Sequence, residues 1–206
     1  MVGQQPAEPF AVSHFIRAGH ATAHDRSATE TLMRSQHERR AAEDLAVTHP
    51  RMSVPGGTYL VTRTTLERRF LLRPSPVVAE VFTYCLFRAA NAHGVLVHAV
   101  CVESSHFHAV VTDPRGELSE FMRWLDRHVA LCLIEHYHGA HPGQNLEGIW
   151  SKQPFGATLL LTEAAIREAV VYCLTNPVKD GLVRDYRKWP GVVSRPGDCL
   201  KPVRYA

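Results

Sequence analysis

The chain has 206 residues, 45% of them hydrophobic, which is enough to bury a core and points to one domain with an extension rather than two domains. Its net charge of +3 is compatible with a polyanionic partner but identifies none, and its five scattered cysteines (Cys85, Cys101, Cys132, Cys173, Cys199) form no Cys-x-x-Cys pair, which argues against a disulfide framework or zinc knuckle and for a reducing cytosol. No run reaches the roughly 18 to 20 apolar residues of a membrane span, and the N-terminus lacks the basic-then-apolar order of a secretory signal, so membrane insertion and export are not expected.

Residues 1–54 mix prolines, alanines and clustered charges (His37-Glu38-Arg39-Arg40) and read as an N-terminal extension, partly disordered or helical, with a helix conceivable near 28–47. Order begins at Pro55-Gly56-Gly57, a turn signal, and Thr58 to Thr64 is β-branched and aromatic enough for a strand. Apolar residues at helical spacing from Ser75 to Asn91 predict a helix that stops near Gly94. Val95 to Val102 and His106 to Thr112 read as two strands of a hairpin joined by Glu103-Ser104-Ser105. A second long helix is expected from about Leu118 to Tyr137, ended by Gly139, Pro142 and Gly143. A strand or loop passage follows through Ile149 to Leu161. The last helix runs from Glu163 to about Asn176, since Pro177 is poorly placed in a helix interior. This order predicts an α+β, ferredoxin-like sandwich with a mainly antiparallel sheet and helices packed on one face. The domain spans 55–192, and 193–206 is a C-terminal tail.

Alternation along a strand sends His106 and His108 to one face and Phe107 and Ala109 to the other, so two imidazoles stand side by side, able to share a metal ion. In a chain with 13 histidines the pair also reads as chance. His136 and His138 form a competing pair, but at a helix end i and i+2 diverge by about 200° and share no face. His138 with His141 fits a frayed helix end better than a metal site, and His98 a packed or edge position. Tyr172 and Asn176 are four residues apart on the last helix, one turn apart on one face. A tyrosine suits phosphodiester transesterification when a metal stabilises the phosphate. The same spacing also fits a ring packed at the core edge and an asparagine that ends a helix.

Taken together, Ser105-His106-Phe107-His108-Ala109-Val110-Val111 and Tyr172-Cys173-Leu174-Thr175-Asn176-Pro177-Val178-Lys179-Asp180-Gly181-Leu182-Val183 resemble the motifs of the single-tyrosine HUH transposases. That group contains small insertion-sequence transposases and the REP-associated tyrosine transposases. Gly56-Gly57-Thr58-Tyr59 resembles the family's opening strand and Trp189-Pro190 the segment after its Asn-Pro motif. The resemblance implies a metal held by His106, His108 and Asn176, Mg²⁺ or Mn²⁺ as the ion, and Tyr172 as nucleophile. The implied reaction cuts and rejoins single-stranded DNA, with hairpin or element-end sequences as substrate, through a 5′-phosphotyrosine; a cytoplasmic monomer or homodimer is expected. Neither Glu168 nor Lys179 identifies itself as the base. Arg63, Arg68, Arg69, Lys152, Lys179, Arg184, Arg187 and Lys188 flank the site elements as candidate DNA contacts, each equally readable as a solvated surface charge.

Two departures stand out. Glu103-Ser104-Ser105 replaces the usual Met-Pro/Ser-Asn/Asp before the first histidine, and the chain stops at Ala206 where larger relatives continue. The alternative reading is therefore a decayed or domesticated copy acting as a non-catalytic DNA-binding protein. A metal-dependent hydrolase in which water attacks is a further rival. Replication initiators and relaxases fit less well, since many carry a second tyrosine where Asn176 stands.

Overall fold

The computed structural model describes residues 53–195, so the helix expected near 28–47 and most of the C-terminal tail lie outside the described residues. In chain order the regular elements are β1 (Gly57–Thr64), α1 (Pro76–His93), β2 (Leu96–Val102), β3 (His106–Asp113), α2 (Leu118–Ala140), β4 (Gly156–Leu160) and α3 (Glu163–Lys179). The strands form one antiparallel sheet in the order β2-β3-β1-β4, which places the histidine strand β3 in the interior of the sheet. This is the expected α+β sandwich with a ferredoxin-like strand order. No helix of the described residues is long and apolar enough to cross a membrane.

The alternation of β3 divides the molecule. Phe107, Ala109 and Val111 turn to α1 and α2 and enter the larger core, where the Phe82 and Phe107 rings meet edge to face with centroids 4.9 Å apart. Val110 turns the other way, into a smaller core with Ala99, Cys101, Ala169, Cys173 and Trp189. The first two helices thus share one face, as expected, while α3 lies on the opposite face, over β2 and β3. That placement brings Tyr172 to the histidine side of the sheet.

Local chemistry fixes the ends of these elements. Ser75 caps α1 by accepting from Val78 N (3.1 Å), and Gly94 closes it in the left-handed region. The buried Asp113 carboxylate at the end of β3 accepts from the amides of Gly116, Glu117 and Leu118 (2.8–2.9 Å), holding the start of α2. α2 runs through Gly139, a tolerated cost in a helix interior. α3 also runs further than the proline rule suggests, to Lys179. Pro177 sits in the last turn, and Asp180 N still donates to Asn176 O (2.9 Å). Gly181, at φ 70°, then reverses the chain: its N–H donates to Val178 O (3.1 Å) and Leu182 N–H to Pro177 O (2.9 Å). These two bonds form a Schellman motif. The run from Asn176 to Leu182 is therefore a helix terminator, and it fixes Asn176, Lys179 and Asp180 within one turn of each other.

After α3, Trp189 is buried and donates from Nε1 to Val102 O (2.9 Å), while Val102 N and Ser194 N bond across to Val192 O and Val100 O. The Trp189-Pro190 segment thereby covers the outer edge of β2 that would otherwise expose unpaired backbone.

Candidate active site

Four side chains on the α3 face of the sheet converge. On β3, the rings of His106 and His108 stand 4.9 Å apart centre to centre. Tyr172 on α3 lies edge to face with His108 at 5.2 Å, and the Lys179 ammonium sits 4.3 Å from the tyrosine ring centre, two turns along the same helix. Asn176, only 3% exposed, donates from Nδ2 to Glu103 Oε1 (3.0 Å) and lies 3.1 Å from His106 Nε2. The spacing expected from sequence alone thus brings His106, His108, Tyr172 and Asn176 to one place.

The imidazoles are oriented from behind. Thr62 Oγ1 on β1 shares a 2.8 Å hydrogen bond with His108 Nδ1, which leaves Nε2 as that ring's free nitrogen. Ser105 Oγ is 3.3 Å from His106 Nδ1. Such outer bonds select the tautomer that a metal requires.

Glu103 is the residue that sequence reasoning missed. It follows β2 and sits directly across the hairpin from His106, its N–H donating to His106 O (2.8 Å). Only 3% exposed, its Oε2 is 3.9 Å from His106 Nε2. Ligand atoms of Glu103, His106 and the exposed Asp180 all lie within 4.8 Å of one another, a group that could hold a metal ion. The one available signal was strand parity: Glu103 has the same parity as Cys101, which faces the smaller core.

Burial sets the protonation of the cluster. It pushes the Glu103 carboxyl up to about 7, helped by the neighbouring Asp180 carboxyl and opposed by the Asn176 amide. Burial likewise lowers His106, against the pull of Asp180 and with the push of Arg68. His108 is pressed down to about 4, by burial first and His106 second. Both rings are neutral at pH 7, the form that binds metals. Because its folded value lies below the ordinary 6.5, His108 gives its full stability contribution above about pH 6.5 and loses it as pH falls towards 4. In chelator, the difference in unfolding free energy between wild type and His108→Gln should therefore shift towards the variant over that interval in urea titrations.

The basic residues divide. Arg68 and Arg69 are exposed in the turn after β1, which is tied to the histidine hairpin by Thr65 N and Thr65 Oγ1 donating to Ser105 O (2.8 and 2.9 Å). Lys152 is exposed beside Ser151, whose N–H bonds Thr64 O at the same end of the sheet. Arg184 and Lys188 are exposed beyond α3, and Arg187 is paired with Asp185 (2.9 Å). Arg63 does not belong with them. It is 9% exposed, on the α1/α2 side of β1, where Nε pairs with Asp126 (2.7 Å), Nη1 donates to Gln153 O and the guanidinium lies over Trp150. Arg63→Ala strands the Asp126 carboxylate and should cost about 3 kcal/mol of stability in denaturant unfolding.

The competing histidines serve packing. His141 stacks on Tyr137 (4.5 Å), His138 accepts weakly from Leu146 N (3.4 Å), and His98 is an exposed residue at a β2 irregularity, bonded to Thr112 (2.7 Å).

No protein-family model and no curated protein sequence matches this chain. Among solved structures, it is similar to a REP-associated tyrosine transposase bound to a REP hairpin, with a TM-score of 0.55 and 22% identity over 69% of this chain and 79% of that one. The two chains share a fold. A transposase structure from Deinococcus radiodurans R1, itself assigned that activity only provisionally, aligns at a TM-score of 0.41 and 16% identity over 61% of this chain and 89% of that one.

Proposed function

We propose that this chain is a single-tyrosine HUH transposase that cleaves and rejoins single-stranded DNA. The observation that carries this reading is the meeting of Tyr172 with His106, His108 and Asn176 on one face of the sheet, inside the two motifs that resemble that family. The shared fold supports it.

The Tyr172 oxygen attacks a backbone phosphorus; a phosphotyrosine bond forms as the bond to the 3′ oxygen breaks. The phenol gives up a proton and the leaving 3′ oxygen takes one, so the step is reversible and needs no ATP. His106, His108 and Asn176 would hold the divalent ion, Asn176 through its amide oxygen, which requires the side-chain amide to turn from the orientation that now presents Nδ2 to Glu103 and His106. Such an ion would supply Lewis-acid polarisation of the phosphate that these residues hold it against. Two imidazoles with oxygen donors suit Mg²⁺ or Mn²⁺. The exposed Arg68, Arg69, Lys152, Lys179 and Arg184 supply backbone contacts for the strand in this reading, with a hairpin of the kind the REP-associated neighbour binds as the substrate. We place the protein in the cytoplasm, as a monomer or homodimer.

Labelled hairpin DNA with a single-stranded flank, Mn²⁺ and the full chain, resolved on a denaturing gel, tests this. A protein–DNA band that resists denaturation is the expected result. Binding to the hairpin with no such band would make the chain a DNA-binding relative without strand transfer, and cleavage without the band would make it a hydrolase.

A further inference from the structure

The cluster holds more donors than two histidines and an amide, and the extra ones are carboxylates. Glu103 is 3% exposed, and its one ion pair among the described residues is with His106 Nε2, at 3.9 Å. A second carboxylate, Asp180, reaches the same place from the end of α3. Two acids brought together, one of them buried, are costly unless a proton or a cation stands between them, and the histidine beside them is a ligand for the cation. His108 stands beside this group, outside the set of ligand atoms that lie mutually within 4.8 Å: it is 6% exposed, its ring lies 4.9 Å from that of His106, and Thr62 occupies Nδ1 so that Nε2 is left free.

We propose that Glu103 is a carboxylate ligand of the divalent cation, with Asp180 closing on the same ion from the end of α3. This rests on the metal-dependent reading above and adds to its ligand set. Two ligands each about 2.1 Å from one ion lie roughly 3 to 4.2 Å apart, and the 3.9 Å between His106 Nε2 and Glu103 Oε2 falls within that interval. Asn176 Nδ2 lies 3.0 Å from Glu103 Oε1 and 3.1 Å from His106 Nε2. The amide thus presents nitrogen, whereas the carboxylates present oxygen in any rotamer. Added carboxylates make the site harder and more anionic, favouring Mg²⁺ or Mn²⁺ over zinc. The departure from the usual residues before the first histidine then becomes part of the metal centre.

The test is Mn²⁺ binding to the full chain without DNA, read by calorimetry and by the electron paramagnetic resonance of the bound ion. Wild type should bind one ion, His106→Ala should lose it, Glu103→Gln should weaken it at least about 100-fold, and Asp180→Asn about 10-fold. Glutamine still accepts the Asn176 hydrogen bond, so a purely structural Glu103 predicts wild-type affinity in Glu103→Gln, and that result overturns the proposal. Should Glu103→Gln not fold in chelator, Glu103→Asp carries the test: it keeps the charge, moves it by one methylene, and should bind about 10-fold more weakly, with unchanged affinity again overturning the proposal. No Mn²⁺ bound by wild type would instead sink the metal-dependent reading itself. Loss in His106→Ala with full binding in Glu103→Gln sinks only the role of Glu103.

Discussion

Tyr172→Phe should abolish covalent capture of DNA, by at least about 10³-fold, while leaving the fold intact. The variant removes one oxygen. Its ring can still meet His108 edge to face and lie under the Lys179 ammonium, so the contacts the tyrosine makes with the protein survive. Unfolding free energy should change by no more than about 0.5 kcal/mol. Denaturing gels for the adduct, with urea titrations for the fold, separate the two effects. A role in packing alone predicts undiminished adduct in the variant. If wild type cleaves without forming an adduct and the variant cleaves at the same rate, water is the nucleophile and Tyr172 a bystander.

The second large effect belongs to the histidine pair. A His106→Ala/His108→Ala double variant should lose metal-dependent cleavage by at least about 10³-fold and should no longer respond to added Mn²⁺. The two positions are not equivalent structurally. His108 is buried, bonded to Thr62 and packed edge to face on Tyr172, so its truncation opens a gap between them and costs stability as well. His106 is more exposed, bonds Ser105 loosely (3.3 Å), and leaves the Asn176–Glu103 hydrogen bond (3.0 Å) in place when truncated, so His106→Ala alone should keep the fold while losing the ion. Comparing that single variant with the double one by cleavage rate and by melting temperature distinguishes loss of chemistry from loss of structure.

Strand parity made much of this legible before any coordinates. Period two along β3 assigns His106 and His108 to one face and Phe107 to the core, and the four-residue spacing of Tyr172 and Asn176 puts them on one helix face. Parity also carried information that was passed over. Arg63 shares it with Tyr59 and Val61, both core residues, so its guanidinium faces α2 and Asp126 rather than a DNA strand. Glu103 shares it with Cys101 and so faces the histidines, although an acid in a hairpin turn reads as solvated. Sequence periodicity shows that α3 is amphipathic but not which side of the sheet receives it. Contact with β2 and β3 opposite α1 and α2 is a tertiary outcome, as is the extra turn beyond Pro177, which depends on the Gly181 terminator. The orientation of the Asn176 amide has no sequence signature either, being set by Glu103 and His106 around it.

The most direct measurement of the central claim is peptide mass spectrometry of the isolated protein–DNA adduct after nuclease and protease digestion. The account predicts a single modified peptide carrying a nucleotide through its 5′ phosphate on Tyr172, absent when Mn²⁺ is withheld. A nucleotide on any other residue, or the same yield of Tyr172 adduct without a divalent ion, would contradict it.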